Sequence, residues 1–284
     1  MSAPSFAEPA SEHADERWDA VLDGLGRCLV CLDFDGTLAR IVDDPSQARI
    51  HPDGPEVLAA LGARVLGIAI VTGRPARDVI VLGGLELLAT RLEDSGGWVL
   101  VRGQYGAERW DGETGEVETP EAAPGLDELR DRLPDLLDDA DAPDARVEDK
   151  GLAVAVHTRS LDDATPAAGR LAEALAPVAA ELDLALEPGR MVVEVRAPGM
   201  DKGAVVRELV EEHRPSAVVF VGDDLGDLPG FAAVEELRED GLPGLLVCSG
   251  SEEQRALVEH ADLVVDGPDG VMRLLRALAD GPRT

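Results

Sequence analysis

Cys28-Leu29-Val30-Cys31-Leu32-Asp33-Phe34-Asp35-Gly36-Thr37-Leu38 is the stretch on which the fold turns. Five apolar residues followed at once by Asp-x-Asp-Gly read as a buried strand that delivers two carboxylates to its C-terminal end. In open α/β sheets that end is where ligands bind. Alternate residues project the same way, so Asp33 and Asp35 can share one site before Gly36 turns the chain. Two carboxylates this close repel each other, so the arrangement asks for a divalent, oxygen-seeking cation. Taken alone, the same residues also read as an acidic turn after a strand. Cys28 and Cys31 match C-x-x-C, but residues i and i+3 of a strand point to opposite faces, so one metal could hardly take both. They read as buried thiols. Together with Cys248 they do not suggest a disulfide framework.

Outward from this stretch, apolar runs alternate with helical periodicity. A helix over about Pro52–Val65 leads to a strand at Gly67–Val71, a helix opening at Pro75 and a strand at Trp98–Val101. The rhythm returns late in the chain. There a helix from about Met200 is followed by strands at Ala217–Val221, Gly244–Cys248 and Leu263–Val265, with helices after Asp224, from Glu252 and at the end. Strands joined by crossover helices predict an α/β fold with a Rossmann-like, doubly wound parallel sheet. The middle differs: a hairpin over Glu108–Thr119, helices near Leu126–Leu137 and Leu161–Leu182, and short strands at Leu152–His157, Leu184–Glu187 and Met191–Val195. This predicts an inserted α+β domain at 112–197, a discontinuous core at 21–111 and 198–284, and a flexible leader at 1–20.

Three further segments support the first. Val71-Thr72-Gly73-Arg74 ends a strand with a hydroxyl, Met200-Asp201-Lys202-Gly203 opens a helix, and Phe220-Val221-Gly222-Asp223-Asp224-Leu225-Gly226-Asp227 ends another strand in carboxylates. Two have ordinary alternatives: Thr72 as a helix N-cap, Lys202 as a solvated or capping cation. In this order, each at an element terminus, they make a constellation. The only lysines among 26 Lys and Arg are Lys150 and Lys202. A compact ammonium suits a crowded phosphate pocket where a planar guanidinium would not fit.

A net charge of −31 argues against nucleic acid and anionic membranes as partners. The longest apolar stretch, Val57–Thr72, is interrupted by Arg64 and glycines and falls short of the ~20 residues of a membrane span. The start of the chain is acidic where a secretory signal would be basic. A cytoplasmic protein acting on a small molecule is the expectation.

The four segments resemble the four motifs of haloacid-dehalogenase (HAD) phosphatases, and within that superfamily the chain looks like the trehalose-6-phosphate phosphatases, whose inserted cap lies where the α+β module does. The closer resemblance rests on Gly103-Gln104-Tyr105-Gly106-Ala107-Glu108, Val147-Glu148-Asp149-Lys150, His157-Thr158-Arg159 and Val193-Glu194-Val195. It implies Asp33 as nucleophile, forming an aspartyl-phosphate, and Asp35 as general acid and then base. Thr72 and Lys202 would hold the phosphoryl oxygens. Mg²⁺ would sit on Asp33, the Asp35 carbonyl and Asp223, supported by Asp224 or Asp227. Arg74, Glu108, Glu148, Lys150, His157, Arg159 and Glu194 would bind a sugar phosphate, expected to be trehalose 6-phosphate. Tyr105, Gly226 and Leu228 depart from that family's pattern, where His, Thr and Glu are usual. Other disaccharide-like or glycosyl phosphates, a phosphosugar mutase and a non-catalytic sensor stay open.

Overall fold

The computed structural model describes residues 3–42, 44–93, 95–189, 191–250 and 255–281. The elements, in chain order, begin with β1 (Glu8–Pro9), α1 (Ala14–Asp23), β2 (Cys28–Leu32), α2 (Gly54–Gly62), β3 (Gly67–Val71), α3 (Ala76–Gly83) and α4 (Leu85–Glu93). Next come β4 (Val99–Gly103), β5 (Glu108–Asp111), β6 (Val117–Glu118), α5 (Gly125–Asp139), β7 (Arg146–Asp149), β8 (Ala153–His157) and α6 (Ala164–Glu181). The chain continues with β9 (Ala185–Gly189), β10 (Val192–Arg196), α7 (Lys202–His213), β11 (Ala217–Gly222) and α8 (Leu228–Glu239). It closes with β12 (Gly244–Gly250), α9 (Arg255–Val258), β13 (Leu263–Asp266) and α10 (Gly267–Ala279). The helix expected from Glu252 is seen from Arg255; Glu252 itself lies outside the described residues.

Two compact units result: 1–119 with 201–284, and 120–200. The first is built on a nine-stranded sheet of order β1-β13-β12-β11-β2-β3-β4-β5-β6. Its six central strands, β13 to β4, run parallel. Strand order reverses between β2 and β11, with Leu32 in register with Val221. This is a switch point, and its crevice opens at the ends of these two strands. The apolar run of β2 is buried on both faces: Cys28, Val30 and Leu32 belong to one core and Leu29 and Cys31 to the other. The two cysteines therefore point apart, free and buried, and burial pushes the Cys31 thiol up to about 12.

Two expectations are corrected. Residues 1–20 are not a flexible leader from Glu8 onward. Strand β1 pairs with β13, and α1 buries Ala14, Trp18, Val21 and Leu22, the i, i+4, i+7, i+8 stripe of an amphipathic helix. The hairpin after Glu108 belongs to the first unit, because β5 pairs with β4 and β6 with β5; the inserted unit starts at 120, not 112.

The second unit is an antiparallel sheet of order β7-β8-β10-β9 with α5 and α6. Val154, Val156, Val193 and Val195 face a core shared with Leu126, Leu129, Leu171 and Leu175. Period 2 then puts Glu148, His157, Glu194 and Arg196 on the opposite face. Among the described residues no helix is long and apolar enough to cross a membrane.

Candidate active site

Each acidic segment is placed by the strand before it. Asp33 directly follows β2, and its backbone N–H donates to the Val221 carbonyl at 2.9 Å. Asp223 directly follows β11. The turn between Asp33 and Thr37 has one backbone demand. Gly36 sits at φ +72°, and a β-carbon there would come within 2.0 Å of Asp223 Oδ2. Any side chain would displace that carboxylate, so glycine is required on both counts. The Ser249 hydroxyl, near the end of β12, donates to the Gly36 carbonyl at 2.7 Å and holds the turn from behind.

Lys202 opens α7, whose N-cap Asp201 accepts the Ala204 N–H at 2.7 Å. Its buried ammonium donates to Asp33 Oδ1 at 2.6 Å and Asp227 Oδ1 at 2.7 Å. Burial alone would lower its pKa, but Asp227 and Asp33 outweigh that and hold it well above the usual value. The other oxygen of Asp227 accepts the N–H groups of Asp223 at 2.9 Å and Asp224 at 3.2 Å. Asp224 in turn accepts the Gly226 N–H, closing a capping box. Asp227 is thus the brace that orients Lys202 and the Asp223–Asp224 corner.

Acceptor oxygens of Asp33, Asp223 and Asp227 all lie within 4.8 Å of one another, a grouping that could hold a metal ion. Burial, then the neighbouring carboxylates, push the Asp223 carboxyl up to about 10. Burial likewise raises Asp33 to about 8 although Lys202 pulls it down. With Asp224, four carboxylates surround one ammonium. An all-oxygen donor set with excess negative charge is what a hard divalent cation compensates, so the residues fit such an ion. Asp35 stands apart from this group. Its carboxylate is clamped by Arg74, Nε to Oδ2 at 2.5 Å and Nη2 to Oδ1 at 2.7 Å.

A cavity of about 130 Å³ is lined by Asp33, Asp35, Ile41, Gly73, Tyr105, Lys202, Asp223, Asp224 and Gly226. This is well under the ~300 Å³ of a small-ligand pocket.

Beyond these, Thr72 ends the β3 segment, buried, its Oγ1 accepting the Arg74 N–H at 3.2 Å. Two residues expected to contact substrate also hold protein groups. Glu108 is buried and accepts the Ala76 N–H at 2.6 Å, capping the start of α3, and the Thr119 hydroxyl at 3.4 Å. Arg74 holds Asp35 and the Pro45 carbonyl. In the second unit, Glu148 meets His157 at 2.7 Å and Lys150 meets Glu194 at 2.6 Å. The Glu148 carboxyl is pushed down to about 2, chiefly by the His157 hydrogen bond. Arg159 is exposed and lies beyond the end of β8, in neither pair.

The trehalose-phosphatase family model matches residues 102–262. The chain belongs to the trehalose-phosphatase family. It is 32% identical to the trehalose-6-phosphate phosphatase of Escherichia coli over 72% of this chain and 73% of that protein. Against the trehalose-phosphate phosphatase of Mycolicibacterium paratuberculosis it is 31% identical over 88% of this chain and 62% of that protein. It spans about three fifths of the length of such mycobacterial relatives. The fold resembles the C-terminal domain of C. albicans trehalose-6-phosphate phosphatase, with TM-score 0.77, 22% identity and coverage of 97% of this chain and 99% of that one.

In this member of the trehalose-phosphatase family, sequence reasoning passed over Ser249 and Tyr105 as site residues. Ser249 falls near a strand end facing the switch point, which was the available signal. In the sequence Tyr105 stands out only as a departure from the family pattern. Gln104 and Tyr105 sit at φ +46° and +58°, left-handed backbone that costs about 1–2 kcal/mol per non-glycine residue. Two backbone hydrogen bonds tie this turn down, Tyr105 N–H to the Thr72 carbonyl at 2.9 Å and Gln104 N–H to the Arg74 carbonyl at 2.8 Å.

Proposed function

We propose that this chain is a Mg²⁺-dependent phosphoric monoester hydrolase that converts trehalose 6-phosphate to trehalose and phosphate. The observation that carries the reading is the Lys202–Asp33 pair at 2.6 Å, beside Asp223 at the switch point of a family sheet. Asp33 attacks phosphorus, the ester P–O bond breaks, and Asp35 gives a proton to the departing alkoxide. Asp35 then takes a proton from a water that attacks the aspartyl-phosphate, releasing phosphate and restoring Asp33. Lys202, with Thr72, neutralises charge on the phosphoryl oxygens. A bound Mg²⁺ supplies charge compensation that lets Asp33 approach a dianion; Asp33, Asp223 and the Asp35 carbonyl would hold it, with Asp224 and Asp227 in support. Sugar recognition is assigned to the charged face of the second unit, where Glu148, His157, Lys150 and Glu194 offer both acceptors and donors to hydroxyls.

Phosphate release across trehalose 6-phosphate, sucrose 6-phosphate, glucose 6-phosphate and p-nitrophenyl phosphate tests the reading. Trehalose 6-phosphate is expected to lead, with activity lost in EDTA and restored by Mg²⁺. Asp33→Asn should lower turnover by about 10³-fold or more in a folded protein. A folded Asp33→Asn variant that still turns over sinks the covalent route, and preference for another ester moves the substrate.

A further inference from the structure

We propose that the Tyr105 hydroxyl is a catalytic hydrogen-bond donor to the phosphoryl group, an inference that rests on the phosphatase reading above. The cavity wall is dominated by carboxylates, those of Asp33, Asp35, Asp223 and Asp224. A phosphoryl group entering it brings acceptor oxygens and needs donors. The ammonium of Lys202 lines the cavity but is shared between Asp33 and Asp227. Tyr105 is the one uncharged side chain with a hydrogen-bond donor among the lining residues.

The backbone commits the ring to this place. Tyr105 and Gln104 are held in consecutive left-handed conformations by hydrogen bonds to the carbonyls of Thr72 and Arg74. Such conformations persist where surrounding structure over-determines them, and they cluster at functional sites. The ring fits only because residue 73 is glycine. A β-carbon there would lie 2.7 Å from both the Tyr105 hydroxyl oxygen and its Cζ. The phenol is thus fastened over the Thr72–Gly73–Arg74 turn at the wall of the phosphoryl cavity. A hydroxyl keeps donor and acceptor capacity together and turns to suit its partner. It can therefore donate to a phosphoryl oxygen without adding charge beside the metal-binding carboxylates.

Tyr105→Phe retains the ring over Gly73 and removes the hydroxyl. A hydrogen bond to a charged group predicts a loss of about 10- to 100-fold in kcat/KM. The same factor should appear on trehalose 6-phosphate and on p-nitrophenyl phosphate, which share only the phosphoryl group. Orthophosphate binding with Mg²⁺ present, followed by calorimetry, should weaken in parallel. Tyr105→His, which restores a ring donor, should recover part of the loss. Unchanged kinetics and unchanged orthophosphate affinity in folded Tyr105→Phe would overturn the proposal, as would a loss confined to the sugar ester. Should the wild type ignore every sugar phosphate, the substrate reading fails. The p-nitrophenyl phosphate and orthophosphate arms would still decide Tyr105.

Discussion

Arg74 grips both carboxylate oxygens of Asp35 in a planar fork, while its remaining terminal nitrogen, Nη1, donates to the Pro45 carbonyl at 2.8 Å. The fork fixes the carboxylate in one orientation, which an ammonium could not do. If Asp35 must deliver and later accept a proton, its aim is part of the rate. Arg74→Ala is expected to lower kcat by about 10- to 100-fold, the effect of loosening a reacting group by about 1 Å. KM for trehalose 6-phosphate should stay close to wild type, and Arg74→Lys should recover only part of kcat. Steady-state kinetics separates this from the sugar-contact role, in which KM would rise and kcat would hold.

Asp262 is fully buried, bonded to Arg17 of α1, to Arg238 of α8 and to the Leu246 N–H of β12. Asp262→Ala leaves two largely buried guanidiniums without their anion, at a cost of about 3–5 kcal/mol. The melting temperature should fall by about 10 °C. Deleting residues 1–20 should destabilise the chain too, since it removes Arg17 and buried Trp18. Calorimetry of the two variants checks both statements; a truncation that melts with the full chain would restore the leader reading.

Why the leader misled is physical. Glu8, Glu12, Asp15 and Glu16 read as solvated chain, and only four buried positions, from Ala14 to Leu22, carry the helix stripe. The core was easier to read, because a strand such as β2, buried on both faces, is a continuous apolar run and its end marks the ligand crevice. Asp33 and Asp223 were legible as strand-end residues for that reason, and Lys202 as the opening of a helix. The 112 boundary was not, because local pattern announces a hairpin but not the sheet edge it joins. Glu108 shows the same limit: nothing near it in sequence reveals that its partner is the Ala76 N–H. Nor does a lone tyrosine advertise a left-handed backbone.

In the second unit, Glu148 gives a pH signature. Its folded carboxyl lies at about 2 against an ordinary 4.5, with the His157 hydrogen bond the main cause. Between these values the unfolded chain binds the proton more readily, so stability from this group is present above about 4.5 and lost as pH falls toward 2. The pair is about a third exposed, so solvent screening leaves roughly 1 kcal/mol. Glu148→Gln should therefore lower the melting temperature by about 2–4 °C at neutral pH. The gap from wild type should shrink as pH drops from 4.5 to 3. A gap that widens on acidification contradicts the assignment.

Lys150 is the sharpest test of where sugar is read. Its ammonium sits 2.6 Å from Glu194 Oε2, both side chains nearly buried. If the pair presents a donor and an acceptor to hydroxyls, Lys150→Ala should cut kcat/KM for trehalose 6-phosphate by about 10- to 100-fold, the value of one or two charge-assisted hydrogen bonds. Hydrolysis of p-nitrophenyl phosphate, which carries no sugar, should scarcely change. Lys202→Ala should instead damage both substrates, because it serves the shared phosphoryl group. Lys150→Ala also has a structural cost: without Lys150, buried Glu194 keeps only the longer Arg196 contact, Nε 3.8 Å from Oε1, and the second unit is loosened. Lys150→Met with Glu194→Gln removes both charges at once and keeps much of the packing. A loss on the disaccharide ester that persists in this folded double variant belongs to recognition. Equal losses on the two substrates, tracking the melting temperature, would make the pair a structural brace and send the search for the sugar contacts elsewhere.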